Sequence, residues 1–281
     1  MIEINRTKTP YITLFNDISE LKKYITTKPH KSGRSNSSES SDSDWTGTKD
    51  FDEAVNLLTY GDEETFKRVL EEKNKLKIDK LLGDTMNKQK YEHRTYGCIP
   101  NVPAYLSGNP LNMINPEKTE PSHKVLNIFL DVSITGGTSK EVIVRNGIKY
   151  LSVIDLLEKA GYRCNLYSGT SSKCYDKGDF HMFARVKTDK EPLNIKKICF
   201  TIANPSWLRR IYFRWCEVFD NPTNITGGYG QNLSKSKAIE DLKLVTKDNI
   251  IFWNYSDGVN GKKVEDILKD LEELGIKIGE Q

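Results

Sequence analysis

The chain has 281 residues, of which 37% are apolar and 29% charged, and a formal net charge of +3. That length allows one large domain, or an ordinary domain with an extension, and the charge is too small to imply a nucleic-acid or membrane partner by itself. The five cysteines form no Cys-x-x-C pair and His30, His93, His123 and His181 are scattered, which argues against a disulfide framework or a zinc site. No apolar run reaches membrane-spanning length and no signal-peptide core opens the chain, so a cytoplasmic protein without a membrane partner is expected.

Tyr11 to Phe15 reads as a strand, and Asp17 to Ile25 as a short helix capped by Asp17 or Ser19. From Thr26 to Trp45 the chain turns to Ser, Asp, Asn and Lys. Such a segment buries too little apolar surface to offset its ordering entropy, so residues 26–45 are expected to be a mobile loop. Asp50 with Glu53 three residues on is a capping-box arrangement. Phe51, Ala54, Val55 and Leu58 mark the buried face of the helix that follows, and Gly61 ends it. Asp62 can cap a second helix with Phe66, Val69 and Leu70 inward. This helical hairpin is too small to stand alone. Residues 91–121 are rich in Pro, Gly and Asn yet too apolar for a solvated linker. They read as a long structured loop that either carries function or packs the hairpin against a sheet.

The apolar run from Val125 to Leu130 ends at Asp131, with hydroxyls following at Ser133 and Thr135. A run this short and apolar predicts a buried strand of a parallel sheet, and ligands of such sheets bind beyond the carboxyl ends of the strands. Three hard oxygen groups suit Mg²⁺ better than Zn²⁺. The simpler alternative is an Asp and a Ser capping the next loop. Ile148, Leu151, Ile154, Leu156 and Leu157 then fall at helical spacing, and Tyr162–Tyr167 and Phe180–Lys187 read as strands. Ile195 to Phe219 reads as two helices broken at Asn204-Pro205. Thr226 to Gly230 reads as a loop, Ser236 to Leu242 as a helix, and Asn249 to Tyr255 as a strand ending in Ser256-Asp257-Gly258. Val264, Ile267, Leu268, Leu271 and Leu274 face inward from a last helix, before a final strand from Gly275 to Ile278. This alternation predicts an α/β domain over 122–281, a doubly wound and mostly parallel sheet, preceded by an N-terminal helical extension over 1–121.

Asp131, Ser133 and Thr135 after one strand, Thr226 and Tyr229 in a Gly-rich loop, and Asp257-Gly258 after another strand together resemble the von Willebrand factor A fold. That family carries an Asp-x-Ser-x-Ser loop, a Thr loop and an Asp-Gly that form a metal-ion-dependent adhesion site. The resemblance implies a degenerate version of that site from Asp131, Ser133, Thr135, Thr226 and Asp257, holding Mg²⁺ weakly. Thr135 replaces the second Ser, and Thr226 would have to serve because Tyr229 stands where the Thr is expected. Trp45-Thr46-Gly47-Thr48 with Phe51-Asp52-Glu53-Ala54, then Val102-Pro103-Ala104, Gly108, Pro110 and Met113, resemble motifs of an uncharacterised tailed-phage and prophage family. That resemblance implies a viral origin, with the protein in the host cell interior or incorporated into a virion, and no chemistry.

Three functions compete. The first is a non-catalytic phage-type binding or assembly protein whose sheet edge engages another protein, viral or host, with Mg²⁺ making the binding cation-dependent; a homo-oligomer fits the same reading. The second is single-stranded nucleic-acid binding by Arg185, Lys187, Lys190, Lys196, Lys197, Arg209, Arg210 and Arg214, with Trp207, Tyr212, Phe213 and Trp215 interleaved. Against it, Trp207, Ile211 and Trp215 recur at the spacing of a core-facing helix. The third is a metal-assisted hydrolase using Asp131 and Asp257, for which neither an adjacent general base nor a P-loop is present.

Overall fold

A computed structural model describes the chain apart from residues 7–8, 77–90, 117–123, 175–177, 220–224, 232–234, 245, 247–249, 257–262 and 277–281. The chain opens with β1 (Ile2–Arg6), β2 (Thr9–Phe15) and α1 (Ile18–Thr27). Two short helices, α2 (Ser37–Ser40) and α3 (Ser43–Thr46), precede the pair α4 (Phe51–Tyr60) and α5 (Glu63–Leu76). A small unit follows, made of β3 (Tyr91–Arg94), β4 (Ile99–Pro100), α6 (Val102–Leu106) and β5 (Met113–Pro116). Next come β6 (Val125–Asp131), α7 (Lys140–Lys159), β7 (Arg163–Cys174), β8 (Gly178–Lys187) and α8 (Ile195–Ala203). A π-helical segment, Trp207–Tyr212, runs into α9 (Phe213–Val218), and the chain ends with β9 (Ile225–Gln231), α10 (Lys235–Lys243), β10 (Ile250–Asn254) and α11 (Val264–Glu273).

The large sheet has the order β1-β2-β8-β7-β6-β10, with β9 attached to β7. Pairing is parallel at β2–β8, β7–β6 and β6–β10, and antiparallel at β1–β2, β7–β8 and β7–β9. In the run β8-β7-β6-β10, β7, β6 and β10 are parallel and β8 returns antiparallel along β7; the chain leaves β6 for β7 on one side and comes back as β10 on the other, so the switch point lies between β6 and β10. The strands expected at Val125–Leu130, Tyr162–Tyr167 and Asn249–Tyr255 are therefore neighbours. β6 covers one edge of β7 only as far as Gly169, β8 occupies the other edge, and β9 takes over the first edge from Ser171. The segment expected to be a loop at Thr226–Gly230 is thus part of a strand, because β7 runs on past the end of β6 and leaves an edge to be paired.

Side chains alternate across this sheet as strand geometry requires. Ile128, Leu130, Leu166, Met182 and Ala184 enter the main core, and Phe129, Tyr167 and Phe183 enter a smaller one under α10. The main core takes residues from α1, α4, α7, α8, α9 and α11. α7 is buried almost all round from Asn146 to Leu157, as a helix between a sheet and other helices must be. Gly147 lets α8 approach, since a Cβ there would lie 2.4 Å from the Ala203 Cα.

Two expectations about the N-terminal part are corrected. The boundary at 121/122 does not divide the core: β2 pairs with β8 over Tyr11–Phe15, and Phe51, Ala54, Val55, Leu58 and Val69 share the main cluster with the residues of α7 and α8. The hairpin's first helix forms as expected, with Asp50 Oδ1 accepting from Glu53 N at 2.8 Å, and Val69 of the second helix is buried, but Leu70, expected inward, is exposed. Residues 26–45 are not a free loop, because α2 and α3 are pinned to α9 and the π-helical segment by the hydrogen bonds described below. Of the final strand expected at Gly275–Ile278, Gly275 lies in the turn after α11 and Ile276 is not in a strand, while 277–278 lie outside the described residues. No helix among the described residues is long and apolar enough to cross a membrane.

Candidate functional site at the carboxyl ends of β6 and β10

Asp131 is the last residue of β6 and is completely buried. Its Oδ1 accepts from the Ser133 backbone N–H at 3.0 Å, and its Oδ2 from the Ser133 hydroxyl at 2.8 Å. This turn, closed by an Asx side chain on the backbone two residues ahead, is the local preference of the residue type. Asn254 stands opposite Asp131 in the β6–β10 ladder, and its Nδ2 donates to Asp131 Oδ2 at 3.3 Å. Asn254 repeats the construction, its Oδ1 accepting from Ser256 N and Ser256 Oγ, each at 2.7 Å. Two adjacent parallel strands thus end in matching Asx-x-Ser turns, one carrying a carboxylate and the other an amide. Tyr150 of α7 donates its hydroxyl to the Asn254 carbonyl at 2.8 Å and holds the second turn in place. Buried carboxylates are tolerated only with such donors around them.

Of the residues expected at this site, the structure brings together Asp131 and Ser133. Thr135 is exposed and its hydroxyl pairs with that of Thr138 at 2.9 Å. Thr226 pairs with Lys173, four residues along β7 from Gly169, the partner of Asp131. At strand rise that separation is about 13 Å, so Thr226 does not join the site; Gln231, at the other end of β9, comes nearest. Asp257 lies outside the described residues. Tyr229 is turned to other work: its hydroxyl accepts from Ser35 Oγ at 3.0 Å and its ring meets Phe213 edge-on at 5.0 Å. Asn254 and Ser256 were missed, although the signal was present as a second Asx-x-Ser at a strand end. The oxygens are hard ligands of the kind Mg²⁺ accepts, and each Asp131 oxygen is already hydrogen-bonded, so a cation would share the carboxylate with those donors. Among the described residues no group of three or more His, Cys, Asp or Glu could hold a metal ion.

The basic and aromatic stretch is corrected at its buried members. Arg209, Arg210 and Lys187 are 1%, 0% and 3% exposed, and Trp207, Tyr212 and Trp215 are core residues, so no phosphate-binding surface forms from them. Arg209 donates to the carbonyls of Trp45 at 2.6 Å and Thr138 at 2.7 Å and lies 4.2 Å over the Trp45 ring. Burial pushes its guanidinium down to about 10. Arg210 donates to the carbonyls of Ser38 at 2.8 Å, Thr48 at 2.8 Å and Lys49 at 3.0 Å, and to the Thr48 hydroxyl at 2.8 Å. Lys187 is paired with Glu158 at 2.8 Å, Lys196 with Glu63 at 2.6 Å, and Arg214 with Glu39 at 3.0 Å. Arg185 lies 5.5 Å over the Tyr167 ring, and Lys197 occupies the exposed first turn of α8. Of these, Arg209, Arg210 and Arg214 hold residues 36–49 against the core.

A family model described as "Domain of unknown function (DUF7192)" matches residues 3–277. The chain belongs to this family. No curated protein and no solved structure matches it. The DUF7192 match begins in β1 and extends past α11, in keeping with a core that draws on both halves of the chain.

Proposed function

We propose that this DUF7192 chain is a non-catalytic binding or assembly protein of phage type, built on a von Willebrand factor A-like sheet, that engages another protein at the Asp131 edge. The observation that carries this reading is the position of Asp131 at the β6–β10 switch point, where open α/β sheets receive their ligands. The strand order supports the von Willebrand comparison, and Asp131 with Ser133 retains the start of that family's loop. The hydroxyls of Ser133 and Ser256 donate to a carboxylate and an amide oxygen and fix the two turns at this edge. Mg²⁺, bound weakly, would link Asp131 to an acidic side chain of the partner.

Thermal unfolding in Mg²⁺ and Mn²⁺ tests the proposal, with wild type compared against Asp131→Asn and Ser133→Ala. A small rise in Tm in wild type, absent from both variants, supports a cation-assisted edge. An unchanged wild-type Tm at high Mg²⁺ removes the metal from the reading. Retention of the natural partner by Asp131→Asn, in a pull-down from the native context, removes the edge itself.

A further inference from the structure

Residues 36–49 are attached to the rest of the protein mainly by hydrogen bonds to charged side chains. Their one large apolar side chain, Trp45, is half-buried and packs at the margin of the main core. Ser38 donates its N–H to Glu217 Oε1 at 2.9 Å and its hydroxyl to Glu217 Oε2. The Ser206 hydroxyl donates to the Thr46 carbonyl at 2.6 Å, and Arg209, Arg210 and Arg214 make the contacts given above. Arg209, Arg210 and Glu217 are all buried. Burial pushes the Arg209 guanidinium down and the Glu217 carboxyl up. Lifting residues 36–49 would return these ionisable groups to water and expose little apolar surface. A segment so attached opens at a lower free energy than the core.

The same segment touches the loop between β6 and α7, which begins with the Asp131–Ser133 turn. Trp45 Nε1 donates to the Gly136 carbonyl at 2.7 Å. Arg209 spans the two, giving one N–H to the Trp45 carbonyl and another to the Thr138 carbonyl. Between these anchor points the loop carries Gly136 and Gly137, both exposed, where a Cβ would meet nothing within 4 Å. Packing leaves this stretch of loop free, and the indole and the guanidinium are what fix its carbonyls.

We propose that residues 36–49 are a strap that opens as a unit and, through Trp45 and Arg209, sets the conformation of the β6–α7 loop beside Asp131. By linkage, anything that engages the loop with the Gly136 or Thr138 carbonyl turned elsewhere lifts the strap, and anything that holds the strap down resists it. That a partner engages this edge rests on the function proposed above. The coupling of strap to loop does not.

Hydrogen exchange on the whole protein, without cation or partner, tests the coupling in wild type, Ser38→Ala and Trp45→Phe. Ser38→Ala removes a hydroxyl that donates to Glu217, away from the loop. It should speed exchange of the Thr46 and Gly47 amides in the strap and of the Ser133 and Thr138 amides in the loop together. About fivefold is expected, the effect of one lost hydrogen bond. Amides of β6 and β7 should keep their wild-type rates. Trp45→Phe, which deletes the indole donor, should speed the loop amides as well. Faster exchange in the strap with an unchanged loop would overturn the coupling, and so would an unchanged loop in Trp45→Phe. No acceleration in Ser38→Ala, or an acceleration that includes β6 and β7, would show that the strap does not open as a separate unit. Failure of the Mg²⁺ and pull-down tests above would remove the partner from this edge and leave the exchange result standing.

Discussion

Asn254 faces Asp131 across the β6–β10 ladder and directs its amide at Oδ2, 3.3 Å away. In this geometry the amide does for the carboxylate what a cation would do at a loaded site: it presents positive partial charge to an oxygen taken out of water. The same pairing explains why the edge is closed, and it identifies the residue whose chemistry decides between a hydrogen-bonded and a metal-binding edge.

Changing Asn254→Asp should therefore convert one state toward the other. Two buried carboxylates in contact repel, which raises the pKa of one of them and lowers stability at neutral pH in the absence of cation. Mg²⁺ should remove that repulsion, so the variant is expected to melt below wild type in EDTA and to gain more from Mg²⁺ than wild type does. At ten times its dissociation constant a bound cation contributes about 1.4 kcal/mol. Differential scanning calorimetry with and without Mg²⁺ checks this, and equal Mg²⁺ responses in the two proteins would show that Asn254 is not at a cation position.

Arg210 is expected to be the strongest tether of residues 36–49. Replacing it with Met removes the donor to the Ser38 and Lys49 carbonyls, while the Thr48 carbonyl keeps the Thr46 hydroxyl at 3.0 Å. At roughly 1 kcal/mol or more for each acceptor left without a donor, the loss should be on the order of 2 kcal/mol. Urea denaturation measures the total. Limited proteolysis locates it: cleavage between residues 36 and 49 should accelerate before any other site, whereas in wild type this segment should resist.

Gly147→Ala sets helix propensity against packing. Alanine in mid-helix is favoured by about 1 kcal/mol over glycine. Here the new Cβ would lie 2.4 Å from both the Ala203 Cα and the Ile202 carbonyl oxygen, which are backbone and cannot rotate away. Overpacking of this kind costs about 1–3 kcal/mol, so a net fall in stability is expected. Gly137→Ala, where a Cβ meets nothing within 4 Å, is the control and should change stability by less than about 0.5 kcal/mol.

The thiols should sort by burial. Cys164, Cys199 and Cys216 are buried, and desolvation pushes each up to about 12. A folded pKa above the unfolded value means that these thiols contribute stability below the unfolded thiol range, and that this contribution is lost as pH rises toward their folded values. In a Cys174→Ser background at pH 8, Cys98 should react with a disulfide reagent at once and the other three only on unfolding. The denaturation midpoint should fall between pH 8 and pH 10. Fast labelling of all four thiols in the folded protein would contradict the described packing.

Local physics made several elements readable from the sequence alone. Asp50 capping α4, the buried face of Phe51, Ala54, Val55 and Leu58, the break at Asn204-Pro205 and the strand that ends at Asp131 all depend on groups within a few residues of one another. Their periodicity and capping preferences are properties of the chain itself. Tertiary structure decided what local pattern could not express. Residues 26–45 look too polar to order, yet carbonyls of this segment and its flank are the acceptors that Arg209 and Arg210 need once those guanidinium groups are buried. The same burial turned a basic and aromatic stretch from a candidate surface into core. β2 looked like part of an extension until β8 supplied the edge that satisfies its backbone. Thr226 looked close to Asp131 only while its segment was taken for a loop; pairing with β7 carries it down the strand. Asn254 became visible as a partner of Asp131 only through strand register. Sequence separation says nothing about register, and a hydrogen bond between residues 131 and 254 exists only because two strands end at the same level of one sheet.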